Sequence, residues 1–196
     1  MSSKVFIFTG RSGVGKGTQV QLFQIFLKEK YPDQRVVYFE SGANLRKFIT
    51  RPEHTAQLAK KIYEEGGLFP EFLAIYNWAN FFTQEILGDE FLIIDGSPRK
   101  LHEAKMLDTA FEFYKKEDVH IIFMDAPRDW SEKLLSERGR SDDTQESVKH
   151  RLDWFEEEVA ATIEYYKKHE KHTFLEINAD QSREMVHQEI ISKLKI

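Results

Sequence analysis

The sequence predicts an α/β fold in which a buried parallel sheet is covered by helices on both faces. Three observations carry this. Short β-branched and aromatic runs alternate with longer helical patterns, the runs are mostly apolar throughout, and a glycine-rich segment joins the first run to the first helix. The 196 residues, 41% of them hydrophobic, suit one domain with a sizeable core.

Five strands are read in order, at Lys4–Thr9, Arg35–Phe39, Phe91–Ile94, Val119–Met124 and Thr173–Ile177. A helix follows the first strand and runs to about Lys30. Between the second and third strands lies far more chain than one crossover helix requires. It carries helical segments broken at Arg51–Pro52 and Gly66–Gly67, which reads as a helical insertion over 41–84. Between the fourth and fifth strands, Arg138–Ser141 interrupts two helical stretches, and Asp143 with Glu146 three positions on suits a capping box opening the second. The break is a short loop over 137–144. The aromatic stretches Phe69–Phe82 and Trp154–Tyr166 read as core and helix-packing faces, so neither Trp78 nor Trp154 is given a functional role. Nothing divides the chain in two: 1–196 is expected as a single domain.

Composition excludes several classes. With no cysteine there is no disulfide framework, thiolate metal site or cysteine nucleophile. The apolar start before Arg11 is too short for a secretion signal, and no window is long enough to span a membrane. The expectation is a soluble cytoplasmic protein without a membrane partner. Lys and Arg number 28 against 33 Asp and Glu, a net charge of −5 that argues against a nucleic-acid partner but leaves a small phosphorylated ligand open. The seven histidines show no metal-ligand spacing, and His102 alone adjoins the candidate site described next.

Directly after the first strand stands Gly10-Arg11-Ser12-Gly13-Val14-Gly15-Lys16-Gly17-Thr18-Gln19. Glycines let the backbone curl with its N–H groups inward, the helix N-terminus adds partial positive charge, and the Lys16 ammonium can reach outer phosphates. A GTPase would also need Asp-x-x-Gly and Asn-Lys-x-Asp, which are absent from the sequence. A dinucleotide fold could use Glu40 after the second strand, but leaves Lys16 without a role.

The order Gly-Lys-Gly-Thr-Gln is that of nucleoside monophosphate kinases, and further segments agree. Ser41-Gly42-Ala43-Asn44-Leu45-Arg46, Gly67-Leu68-Phe69-Pro70, Asp95-Gly96-Ser97-Pro98-Arg99 and Gly139-Arg140-Ser141-Asp142-Asp143 with Arg151-Leu152 fall in the family's order over nearly the whole chain. The sequence thus resembles the adenylate kinase family in its short-lid form. That resemblance implies a P-loop NTPase fold with sheet order 2-3-1-4-5, the 41–84 insertion as acceptor-binding segment and 137–144 as lid. It implies an ATP site at Gly13, Val14, Gly15, Lys16, Gly17 and Thr18. The implied acceptor site comprises Ser41, Gly42, Arg46, Gly67, Leu68, Phe69, Gly96, Arg99 and Glu103. Lys16, Arg99, Arg138, Arg140 and Arg151 are the implied catalytic residues. Mg²⁺ is the implied cofactor, held through water by Asp95 with Thr18 nearby, with ATP as co-substrate. No zinc is expected, because a zinc-bearing lid needs cysteine. The implied partners are ATP and a nucleoside monophosphate, and the chain is expected to be a monomer.

Two departures matter. Glu103 stands where the family usually has Gln; a carboxylate accepts from an exocyclic amine but donates to adenine N1 only when protonated, and suits guanine as well. Glu103 also suits a solvent-facing place in a first helical turn. Leu134 stands where an arginine often packs on the donor base. On the overall resemblance AMP is the expected acceptor, with CMP/UMP or GMP/dNMP as alternatives, and a non-catalytic nucleotide sensor as the reading from another class.

Overall fold

The computed structural model describes residues 3–140 and 143–196. The strands are β1 (Lys4–Gly10), β2 (Val36–Glu40), β3 (Phe91–Asp95), β4 (Asp118–Asp125) and β5 (His172–Asn178), each within one residue of its expected ends. They form one parallel sheet in the order β2-β3-β1-β4-β5. Phe6, Phe8, Phe91, Ile93, Ile122 and Met124 turn to one face, where they meet α1 (Lys16–Lys30) and α9 (Arg183–Leu194). Val5, Ile7, Leu92, Ile94, Val119 and Ile121 turn to the other. There they meet α4 (Glu71–Glu85), α5 (Leu101–Phe113) and α8 (Ala160–Lys167). Cover on both faces is why the strands read as unbroken apolar runs.

Between β2 and β3 lie α2 (Ser41–Phe48), α3 (His54–Glu64) and α4. The two ends of α4 do different work. Leu73 joins Leu45, Ala59 and Phe69 in a small cluster away from the sheet, whereas Trp78 and Phe82 are part of the sheet's own core. After β4 come α6 (Arg128–Arg138) and α7 (Gln145–Trp154), which pack through Leu135, Val148 and Leu152. A π-helical turn, Phe155–Val159, carries α7 into α8.

The expected capping box at Asp143 is corrected by the structure. Thr144 is the N-cap of α7, its hydroxyl accepting from the Ser147 N–H at 3.2 Å, and Asp143 is engaged elsewhere. Helix α6 continues to Arg138, so the interhelix segment begins at Gly139, which ends the helix in the left-handed region at φ 65°. Residues Ser141 and Asp142 of the expected lid lie outside the described residues.

This topology makes one crevice. From β1 the chain crosses to β2 on one side, and from β3 it crosses back over β1 to β4, so the connections diverge beyond the carboxyl ends of β1 and β3. Phe8 is in register with Asp95, which sets Gly10 and Asp95 at the same mouth. Among the described residues, no helix is long and apolar enough to cross a membrane.

A buried ion pair closes the opposite end. Lys116 donates to Glu90 Oε1 at 2.6 Å, to the Glu90 carbonyl and to the Gly88 carbonyl, while Glu90 Oε2 accepts from the Leu87 and Gly88 N–H groups. Both side chains are fully buried. Removing one partner strands a charge in a dry site, so Lys116→Met should lower the unfolding free energy by about 3–5 kcal/mol, read by urea titration.

Candidate functional site

The turn from β1 into α1 is forced by its glycines. Gly10, Gly13 and Gly15 all have positive φ. At Gly13 a Cβ would sit 2.6 Å from the Ser131 carbonyl oxygen and from Leu135 Cγ, so the loop can lie this close to α6 only without a side chain. Gly15 is the N-cap of α1 and offers no capping side chain, and no acidic residue occupies the first turn. The helix therefore starts with its positive end uncompensated, facing the crevice. Val14 is different: its side chain is buried in the core between sheet and α1, leaving only its backbone to face a ligand.

A cleft of about 550 Å³ opens in front of this loop. Its walls bring together Gly13, Gly15, Lys16, Gly17 and Thr18 of the loop, Gly42 and Arg46 of α2, and Gly67 and Phe69 of the turn before α4. Asp95 enters at the end of β3 with Gly96 and Arg99 just beyond it, and Arg138, Arg140 and Arg151 enter from α6, its exit and α7. Leu134 also lines it. Ser41, Leu68, Phe69, Arg99 and Glu103 surround a smaller adjoining pocket that also includes Ser97. All the expected site residues are thus placed at these two cavities except Val14, which lies in the loop with its side chain buried in the core.

The cations of the cleft are held in distinct ways. Lys16 Nζ donates to the carbonyls of Gly10 and Arg11 at 2.8 and 2.7 Å, folded back onto its own loop. Arg46 pairs with Glu40 at 2.8 Å. Arg99 donates from Nε to the Gly96 carbonyl at 2.8 Å, and its guanidinium lies 5.2 Å over the Trp154 ring. Arg138 and Arg151 converge on Asp143: Arg138 makes a fork through Nε and Nη2 at 2.8 and 2.6 Å, and Arg151 Nη2 donates at 2.7 Å. Arg140 is exposed at the rim. Burial opposes ionisation of Asp143, but the two guanidinium groups outweigh it and hold its pKa below the usual carboxylate range.

Asp95, buried at the end of β3, is raised by desolvation despite the pull of Lys16, and accepts a long hydrogen bond from the Tyr38 hydroxyl at 3.3 Å. Glu103 is only 2% exposed, which overturns its reading as a solvent-facing helix residue. Its Oε2 accepts from the Arg99 N–H at 2.7 Å, while Oε1 is buried without a hydrogen-bond partner. Burial raises its pKa above the usual range against the pull of the Arg99 N–H and guanidinium.

Several residues at the cleft carry no motif. Tyr38 and Tyr63 line it, and Trp154 lines it too, which corrects its reading as packing alone. The Trp154 indole donates to the Gly66 carbonyl at 3.1 Å, and Gly66 lies so close to Ser147 that a Cβ would meet the Ser147 carbonyl oxygen at 2.7 Å. The glycine pair at 66 and 67 marks that turn in the sequence; nothing in the aromatic spacing marks Trp154.

Burial lowers the Lys16 pKa to about 8; Asp95 pulls it back up, and Arg99 and Arg138 push it further down. An unfolded lysine titrates at about 10.4. Between these values the unfolded chain binds more protons, so stability rises with pH, and below the lower value the cost of the buried charge is fully present. The nucleotide-free chain should therefore gain stability relative to Lys16→Met as pH rises through this window, read by urea unfolding of both proteins on either side of it.

Known sequences are similar to this chain over nearly its whole length. The model of the adenylate kinase family matches residues 8–171. Adenylate kinase 1 of a Nostoc species is 29% identical over 188 residues, covering 96% of this chain and 97% of its own. Uridylate kinase of Saccharomyces cerevisiae is 30% identical over 194 residues, covering 96% and 88%. An adenylate kinase of Leptospira biflexa is 30% identical over 168 residues, covering 84% and 86%. The match runs from within β1 to the turn before β5, past every wall of the cleft, and the chain belongs to the adenylate kinase family of phosphotransferases.

Proposed function

We propose that the chain transfers the γ-phosphoryl of Mg·ATP reversibly to a nucleoside monophosphate, with AMP the preferred acceptor and two ADP the products. The observation that carries this reading is the gathering of Lys16, Arg46, Arg99, Arg138, Arg140 and Arg151 around one cleft that also holds the open end of α1. A triphosphate and a monophosphate brought together need that much positive charge, and they need it away from water.

In this reading the N–H groups of Gly13, Val14, Gly15, Lys16, Gly17 and Thr18 hold the donor phosphates, and Lys16 leaves its own carbonyls for them. Arg46 and Arg99 hold the acceptor phosphate, with Ser41, Gly42, Gly67, Leu68, Phe69, Gly96 and Glu103 around the rest of the acceptor. An acceptor oxygen attacks the γ-phosphorus in line, the bond to the β,γ-bridging oxygen breaks, and that oxygen keeps the electron pair as part of ADP. Arg138, Arg140 and Arg151 offset the charge spread over the moving group through bidentate contacts. Asp95 and Thr18 present oxygen donors in the same cleft, a set that fits Mg²⁺ taken up through water, which would neutralise charge on the donor phosphates. The absence of cysteine suits action in the cytoplasm.

The acceptor base would enter the pocket beside Ser97 and Glu103. One Glu103 oxygen is committed to the Arg99 N–H, which leaves Oε1, beside Ser97, as the oxygen to read the base. Protonated, it donates to adenine N1; ionised, it can only accept, which suits an amine or imide N–H. The uridylate kinase relative and the carboxylate itself favour a second reading, with CMP, UMP or GMP as acceptor.

Incubation with Mg·ATP and each of AMP, CMP, UMP, GMP and the deoxynucleotides should show diphosphate formation fastest with AMP; no turnover of any acceptor would replace the enzyme reading with a nucleotide sensor. Lys16→Met should lower kcat by roughly 10²–10³-fold with the fold intact by circular dichroism. Because the Glu103 pKa is raised, its protonated form is lost as pH rises through that value, so KM for AMP should climb with pH. Glu103→Gln keeps a donor at every pH and should flatten that climb, and parallel profiles for the two proteins would remove Glu103 from base reading.

A further inference from the structure

We propose that Asp108, His169 and His172 form a binding site for a divalent transition-metal ion of the zinc class, separate from the phosphotransfer cleft. Read along the sequence, the histidines show no ligand spacing, and Asp108 lies far from both. The fold corrects this. Asp108 is on α5, His169 follows α8, and His172 opens β5, so the three meet at the amino end of the sheet, opposite the carboxyl-end crevice. One ligand atom from each lies within 4.8 Å of the others.

The arrangement is unfinished as a purely structural cluster. His172 Nε2 lies 3.0 Å from Asp108 Oδ1, and His169 Nε2 lies 3.6 Å from Asp108 Oδ2. The two imidazole rings are stacked at 3.9 Å and 10°. Each has its Nδ1 buried with no hydrogen-bond partner, so two ring nitrogens have been desolvated for nothing in return. The Nε2 atoms of both rings already face the Asp108 carboxylate, so an ion seated among them replaces these imidazole–carboxylate contacts by coordination.

Two features set the class of ion. Two imidazoles and one carboxylate suit Zn²⁺, Co²⁺, Ni²⁺ or Cu²⁺, whereas Mg²⁺ and Ca²⁺ require oxygen donors. The Tyr165 hydroxyl donates to Asp108 Oδ2 at 2.5 Å and orients the carboxylate, as outer groups do around metal ligands. The side chains of His169 and Asp108 are 19% and 15% exposed, which gives the ion an entry path and leaves a coordination position for water. Bound there, the ion ties α5 to the α8–β5 turn and stabilises the folded state by mass action.

The test uses the untagged full chain, stripped with chelator and free of nucleotide, because nucleotides bind these ions themselves. Calorimetric titration with ZnCl₂ should show one ion per chain, thermal unfolding should move upward with Zn²⁺ but not with Mg²⁺, and CoCl₂ should give visible d–d absorption bands. All three signals should be lost in His169→Ala/His172→Ala, while Mg²⁺-supported phosphotransfer persists and certifies that the variant is folded. If the double variant does not fold, His169→Gln at the more exposed position should abolish the Co²⁺ bands by itself. Absence of binding to the unaltered chain, or equal Zn²⁺ binding by the chain and its histidine variants, overturns the proposal.

Discussion

The structure depends on positive charge collected in one place without an equal collection of negative charge. Lys16, Arg46, Arg99, Arg138, Arg140 and Arg151 line a cleft whose own carboxylates are chiefly Glu40 and Asp95. Cations so arranged repel one another: Arg99 and Arg138 help lower the Lys16 pKa, and burial lowers that of Arg99. A folded chain tolerates this because the remainder of the molecule is strongly anchored. The sheet is packed on both faces by apolar side chains, and its far end is closed by the satisfied pair of Glu90 and Lys116. Stability is drawn from one end of the sheet and spent as electrostatic tension at the other.

Local rules and the fold agree wherever one residue acts through its own backbone neighbourhood. The strands were legible because their apolar runs are bounded by turn residues, and the phosphate loop because glycines with positive φ are needed to bring it against α6. Thr144 and Asp143 show where such rules stop. Either can cap a helix, and the choice goes to Thr144 because Asp143 is claimed by two arginines, one of them eight residues onward. Trp154 lay in an aromatic stretch with helical spacing, and only the approach of Arg99 and of the Gly66 carbonyl makes it part of the cleft. Asp108 and the two histidines are joined by packing of α5 on α8, a contact between distant segments that no spacing rule encodes.

The same limit explains α4. Its sequence is apolar all along one side, and a single helical insertion is the simplest reading. In the structure one end serves the small cluster with Leu45 and Phe69 while the other end is core of the sheet. The helix therefore ties the walls that carry Arg46 and Phe69 to the scaffold that carries Asp95.

Asp143 has a further consequence. Its carboxylate gives the Arg138 guanidinium a planar pair of oxygens and Arg151 one of the same two, the geometry that a phosphoryl group would offer in the proposed reaction. Two long, flexible side chains are thereby ordered as the chain folds. An incoming anion competes for donors already aimed, and the rotamer entropy of Arg138 and Arg151, roughly 2 kcal/mol for each freely rotating side chain, has been largely surrendered before it arrives.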